Sequence, residues 1–151
     1  MDRSRILVLA LLVGAASLAA CSHAGSRSAE ARIATAAGTV SLRVTVADSA
    51  AARERGLQGV ERLDPDAGMA FLFGRPSRAG FWMRDTLVPL SIAFWGRDGR
   101  ILALRDMTPC PGRRCPTYRP GRPFVGALEA NRGFFARHDV AVGDRVVIVG
   151  G

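Results

Sequence analysis

The residues of this sequence with the clearest chemical potential are a few carboxylates, one aromatic run and three cysteines. Asp85, Asp106 and Glu129 could act as a general acid and base if the fold gathers them in one cleft and separates their pKa values. Such a set would make a hydrolase-type enzyme. No nucleophile arrangement accompanies it. His23 lies in a small polar stretch, so a Ser-His-Asp or Cys-His site would rest on His138 alone, at the end of a predicted helix. A solvated cation is the commoner role there. No Gly-rich phosphate loop follows a strand.

Cys110 and Cys115 bracket Pro111-Gly112-Arg113-Arg114, and the Pro-Gly pair can make the turn that joins them in a disulfide. The spacing is not that of a Cys-x-x-Cys redox motif, so a thiol-redox lipoprotein is the weaker alternative. A zinc site would need two further ligands. Neither a metal nor a cofactor is expected.

The third cysteine carries the most direct reading. Asp2-Arg3-Ser4-Arg5 gives a net positive start, Ile6 to Val13 is unbroken apolar, and Gly14 to Ala20 is small and apolar. That is the order of a secretory signal peptide, over residues 1–20. The apolar stretch is shorter than the roughly 20 residues a spanning helix needs. Leu18-Ala19-Ala20-Cys21 matches the bacterial lipobox, in which the cysteine thiol receives a diacylglycerol and becomes the new N-terminus. The expectation is an exported chain held on the extracytoplasmic face of a membrane through Cys21. Residues 21–31 read as a lipidated tether and 32–151 as one β domain, since that length leaves no room for two.

The formal charge is +8, and all 21 basic residues are arginine. They are scattered along the sequence and the chain is exported, so nucleic acid is not an expected partner. Attraction to anionic lipid or wall polymer is an expected side effect. Oligomeric state is not legible.

A recognition site could form around Phe81-Trp82-Met83. Strand alternation sends Trp82 to the face opposite its neighbours. If Phe81 and Met83 fill the core, Trp82 lines a groove beside Arg84, Asp85 and Thr86, an apolar wall with a few polar groups. The alternative for Trp82 is core. Glu129 shares a predicted strand face with Val125 and Ala127, and is there either solvated or buried against an arginine. Tyr118, in the Pro-rich loop, could close over a pocket. These six residues are the candidates for binding a small molecule, glycan or envelope protein, the non-enzymatic function that the missing catalytic constellation favours.

The elements that must position them are short. Val40, Leu42, Val44 and Val46 alternate along a half-buried strand. Asp48 and Ser49 are N-cap types before Ala50 to Arg55, and Gly56 ends that helix. Gly68 to Phe73, Phe81 to Met83, Leu90 to Trp95, Ile101 to Leu104, Phe124 to Ala130 and Arg145 to Val149 read as strands. Asp98-Gly99 is a hairpin signal, and Asn131 is placed as the cap of a short helix through Arg137. About seven strands and two short helices suggest a mainly β, single-domain antiparallel β-sandwich or small barrel.

Arg55-Gly56-Leu57, Gly68-Met69-x-Phe71-x-Phe73 and Phe81-Trp82-Met83-x-x-Thr86-x-x-Pro89-Leu90 appear in that order. They are followed by Phe94, Asp98-Gly99-x-Ile101, Met107-x-Pro109, Leu128-Glu129, Gly133 and Gly143-Asp144. This pattern, over Val40 to Val149, resembles the domain-of-unknown-function 192 (DUF192) family of small bacterial and archaeal domains. The resemblance implies an all-β sandwich or barrel with small helices and brings no established activity. Two positions depart from it: Ser91 stands where the family usually has Asp, and Gln58 where it usually has Met. If the missing Asp were catalytic, this member would be inactive.

Overall fold

The computed structural model describes residues 27–150. The signal segment and Cys21 lie outside them. Seven strands and two short helices follow one another as β1 (Arg27–Thr35), β2 (Gly38–Ala47), α1 (Ala50–Arg55), β3 (Ala67–Ser77), β4 (Leu90–Trp95), β5 (Ile101–Met107), β6 (Phe124–Asn131), α2 (Phe134–Arg137) and β7 (Arg145–Val149). They form a single sheet in the order β5-β4-β6-β3-β2-β1-β7. The domain is mainly β, as expected, but the sheet is mixed: β2 and β3 run parallel, while the other neighbours are antiparallel. The cause is α1, because parallel neighbours need a crossover and a helix commonly supplies it.

The sheet coils without closing. Its edge strands meet at one end only, where Val146 N–H donates to Gly99 O at 2.8 Å and Ile101 N–H to Asp144 O at 2.8 Å. The inside of the coil is a core drawn from all seven strands, including Ile33, Leu42, Val44, Trp95, Leu128 and Val146, with Phe134 and Phe135 of α2. The outside of β3, β4, β5 and β6 carries a second core of Met69, Phe71, Ile92, Phe94, Phe124 and Met107. Its rings meet edge to face, as in Phe94–Phe124 at 5.1 Å and Phe71–Phe81 at 4.9 Å, the geometry aromatic quadrupoles favour.

Three local expectations are corrected. Arg27 to Glu30, assigned above to the tether, pair with Val46 to Arg43 and begin β1. Phe81 to Met83 is not a strand: Phe81 makes one reciprocal backbone pair with Tyr118 (3.0 and 2.8 Å) and the chain then turns away. Asn131 ends β6 and does not cap α2. Its amide donates to the Leu63 and Asp64 carbonyls at 3.1 and 2.8 Å, and Gly133 stands at the N-cap instead.

Candidate functional site

The site is built on the outer face of β6, the strand between β3 and β4. Glu129 lies in register with Met69 on one side and Ile92 on the other, so a carboxyl stands where its neighbours are thioether and aliphatic. Strand alternation does not run evenly to it. Phe124 and Ala127 both belong to the outer core while Val125 packs inward, so Val125 is not on Glu129's face. The β3–β6 register shifts in the same region, between Leu72 and Ser77.

Two covers leave a cavity of about 280 Å³ over this face. One is α1, capped where the Ser49 hydroxyl accepts from Ala52 N–H at 3.2 Å. Its Arg53 donates to the Leu72 carbonyl at 2.9 Å and lies 4.8 Å over the Phe73 ring, which holds the helix on β3. The other is the Ala79–Thr86 segment, pinned by the Phe81–Tyr118 pair and by Cys110 N–H donating to Met83 O at 3.2 Å. The cavity wall comprises Leu57, Phe71, Phe73, Phe81 and Trp82, with Arg53, Glu54, Arg55, Gln58, Thr86 and Glu129 as its polar groups.

Glu129 is only 5 % exposed. Among the described residues its carboxyl takes part in no ion pair and no side-chain hydrogen bond, so the arginine partner anticipated from sequence is absent. Burial without a compensating charge pushes its pKa up from 4.5 to about 8. It therefore carries its proton at neutral pH and presents one O–H donor and one carbonyl acceptor.

The sequence candidates divide. Trp82 is 43 % exposed at the cavity rim, while Phe81 and Met83 join the outer core. Thr86 is buried and lines the cavity. Arg84 and Asp85 lie outside it, around a neighbouring shallow hollow with Arg113, and the Arg84 guanidinium stands 5.6 Å over the Trp82 ring. Asp85 adopts a left-handed conformation (φ 55°) and its carbonyl accepts from Gly59 N–H at 2.8 Å, a turn role that Asp tolerates. Tyr118 is no lid. It packs against the outer core, and its hydroxyl accepts from Thr108 N–H at 3.3 Å. His138 ends α2 with its ring 4.5 Å from that of Phe134.

The three carboxylates do not converge. Asp106 pairs in register with Ser91, on the inner side of the sheet and so opposite Glu129. There the Ser91 hydroxyl donates to Asp106 Oδ1 and accepts from Gly133 N–H at 2.8 Å. Ser91 thus ties α2 to the sheet. Sequence reasoning missed Arg53, Arg55, Gln58, Phe71 and Phe73 as cavity residues. The helix between two strands was the available signal, since a crossover helix must cover one sheet face.

Cys110 and Cys115 form the expected disulfide, with Cα atoms 5.7 Å apart.

These features define a small, single-domain mixed β fold with an aromatic cavity over one buried carboxyl. The chain belongs to the DUF192 family, described as "Uncharacterized ACR", whose profile matches residues 32–148. It is similar to a protein of Sinorhizobium meliloti 1021 described as a candidate transcription regulator, at 31% identity and TM-score 0.74, over 82% of this chain and 96% of that one. It is also similar to a protein of unknown function from Novosphingobium aromaticivorans, at 30% identity and TM-score 0.73, over 78% and 83% of the two chains. No curated protein matches. Of the two departures from the family pattern, Gln58 lines the cavity. Ser91 does not, so a carboxylate at position 91 would not share the cavity with Glu129.

Proposed function

We propose that this chain is an exported lipoprotein, anchored through Cys21, whose domain binds a small ligand in the cavity under α1. The observation that carries the binding reading is Glu129: a buried carboxyl with no side-chain partner among the described residues, lining an aromatic cavity. A protonated carboxyl suits a ligand that brings a hydrogen-bond acceptor, such as a carbonyl or hydroxyl oxygen. The phenylalanines and Trp82 suit an apolar or ring-shaped body, and Arg53 and Arg55 favour a neutral or acidic ligand over a cation. A thermal-shift screen of envelope glycans, lipids and metabolites tests this, run on wild type, Trp82→Ala and Glu129→Leu, the last of which removes the carboxyl's donor and acceptor. Saturating ligand at about 100 times its Kd stabilises by about 2.7 kcal/mol. Wild type should gain that stabilisation and both variants should lose most of it. Equal shifts in all three would reject the cavity as the site.

The anchor has its own test. Metabolic labelling with palmitate should mark the wild type and not Cys21→Ser, and labelling of both would remove Cys21 from the reading. A hydrolase reading has one observation in its favour, because a carboxyl that keeps its proton at neutral pH can act as a general acid. It would require Glu129→Gln to retain ligand binding while abolishing turnover of that ligand.

A further inference from the structure

Seven of the 21 arginines are carried on two segments that the fold brings together. Arg75, Arg78 and Arg84 lie on the segment from the end of β3 to the cavity rim, and Arg113, Arg114, Arg119 and Arg122 on the loop between β5 and β6. The two segments are bound side by side by the Phe81–Tyr118 and Arg84–Cys110 backbone bridges. All seven side chains are exposed. None takes part in an ion pair among the described residues, where the pairs formed involve Arg27, Arg32, Arg43, Arg100 and Arg132. Asp85 is the one carboxylate within the two segments. Glu54 of α1 borders the same face beside Trp82 and Arg84, and seven arginines against these two carboxylates leave a basic surface that calls for an anionic partner.

Trp82 and Leu87 decide which kind. They are 43 % and 56 % exposed on the segment that carries Arg84. An exposed indole and an exposed leucine among arginines match a bilayer interface, where Trp anchors at headgroup depth and basic residues meet anionic lipid. A nucleic-acid surface would use the arginines and give Leu87 no role. We propose that these two loops form a membrane-contact face that docks on anionic phospholipid, with Trp82 and Leu87 entering the interface.

The test uses the chain from Ser22 onward, which carries no leader and no lipid. It keeps every strand and both cores of the described residues, and the match to the similar Sinorhizobium protein spans 96% of that chain. Co-sedimentation is measured on phosphatidylcholine vesicles with and without phosphatidylglycerol, at about 0.15 M salt, where the screening length is about 8 Å. The expected result is binding only where phosphatidylglycerol is present, weakening as salt rises. Arg78→Gln, Arg113→Gln and Arg114→Gln together should weaken it roughly a hundredfold, about fivefold per arginine. Removing the same charge outside the loops, with Arg62→Gln, Arg137→Gln and Arg145→Gln, should change it much less. Trp82→Ser with Leu87→Ser should weaken vesicle binding at least tenfold while leaving binding to a short DNA duplex unchanged. Equal losses from the two arginine triples would show a general charge effect and overturn the proposal. So would vesicle binding indifferent to Trp82 and Leu87, or duplex DNA that binds more tightly than the vesicles.

Discussion

Glu129 should make the stability of this domain fall as pH rises through neutrality. Its carboxyl ionises at about 8 in the fold against an ordinary value of 4.5. Between those values the unfolded chain has released a proton that the folded chain still holds, so raising the pH favours unfolding. Each pH unit in that window costs about 1.4 kcal/mol. The loss reaches about 3 kcal/mol at pH 7 and levels off near 5 kcal/mol above pH 8, a large share of the roughly 5–15 kcal/mol such domains possess. Glu129→Gln keeps the size and the hydrogen-bonding groups without the ionisation. Urea unfolding at about pH 5, 6, 7 and 8 should therefore give nearly equal midpoints for wild type and variant at the acid end. The variant should lead by about 3 kcal/mol at pH 7, with unchanged denaturant slopes. Other titrating groups are common to both proteins and cancel in the difference. Parallel profiles from pH 5 to 8 would mean that Glu129 is ionised and compensated in the fold, and the account of the cavity as a site for acceptor ligands would fail with it.

Other substitutions test the frame around the site. A Cβ at Gly126 would stand 2.1 Å from the Trp95 ring, so Gly126→Ala should cost about 1–3 kcal/mol by overpacking and should alter indole fluorescence. Removing the Ser91 hydroxyl leaves the Gly133 N–H without its acceptor. Ser91→Ala should lower the urea midpoint by the equivalent of about 1–2 kcal/mol, with ligand binding intact because Ser91 faces away from the cavity. Replacing Cys110 and Cys115 by serine opens a short loop worth about 2 kcal/mol of chain entropy. It should loosen the Met83–Arg84 segment, seen as faster amide exchange there, while the sheet stays protected.

The strands were legible where one face is apolar and the other polar, as in Val40 to Val46, and the first helix was legible because Ser49 and Gly56 bracket it. What escaped depends on partners distant in sequence. Arg27 to Glu30 carry no apolar signal and become strand only because β2 extends far enough to pair with them. Phe81 to Met83 has strand-like composition, yet its one backbone partner is Tyr118, so no ladder propagates. The parallel β2–β3 pair was implied by the helix between those strands and overlooked in favour of an all-antiparallel count. At the site, the sequence left Trp82 between core and groove, and its exposure is set by the turn the chain makes after the single Phe81–Tyr118 bridge. Glu129's isolation was not legible either, because it depends on Met69 and Ile92 arriving from two other strands.

That isolation argues against a structural role for Glu129. An aliphatic side chain between Met69 and Ile92 would continue the outer core and remove the cost of burying an unpartnered carboxyl. The carboxyl holds no helix end, bridges no strands and neutralises no arginine among the described residues, whereas Ser91, Asn131 and Arg53 each have visible tethering work. Local rules of packing are broken most readily at functional positions, and here the break sits where α1 and the Trp82 segment leave a cavity. Trp82 belongs both to that cavity's rim and to the basic face proposed to meet the membrane. If both proposals hold, vesicles with phosphatidylglycerol should slow the entry of a cavity ligand supplied from water and speed the entry of one already dissolved in the bilayer. Equal entry rates for both, with and without vesicles, would separate the cavity from the membrane face.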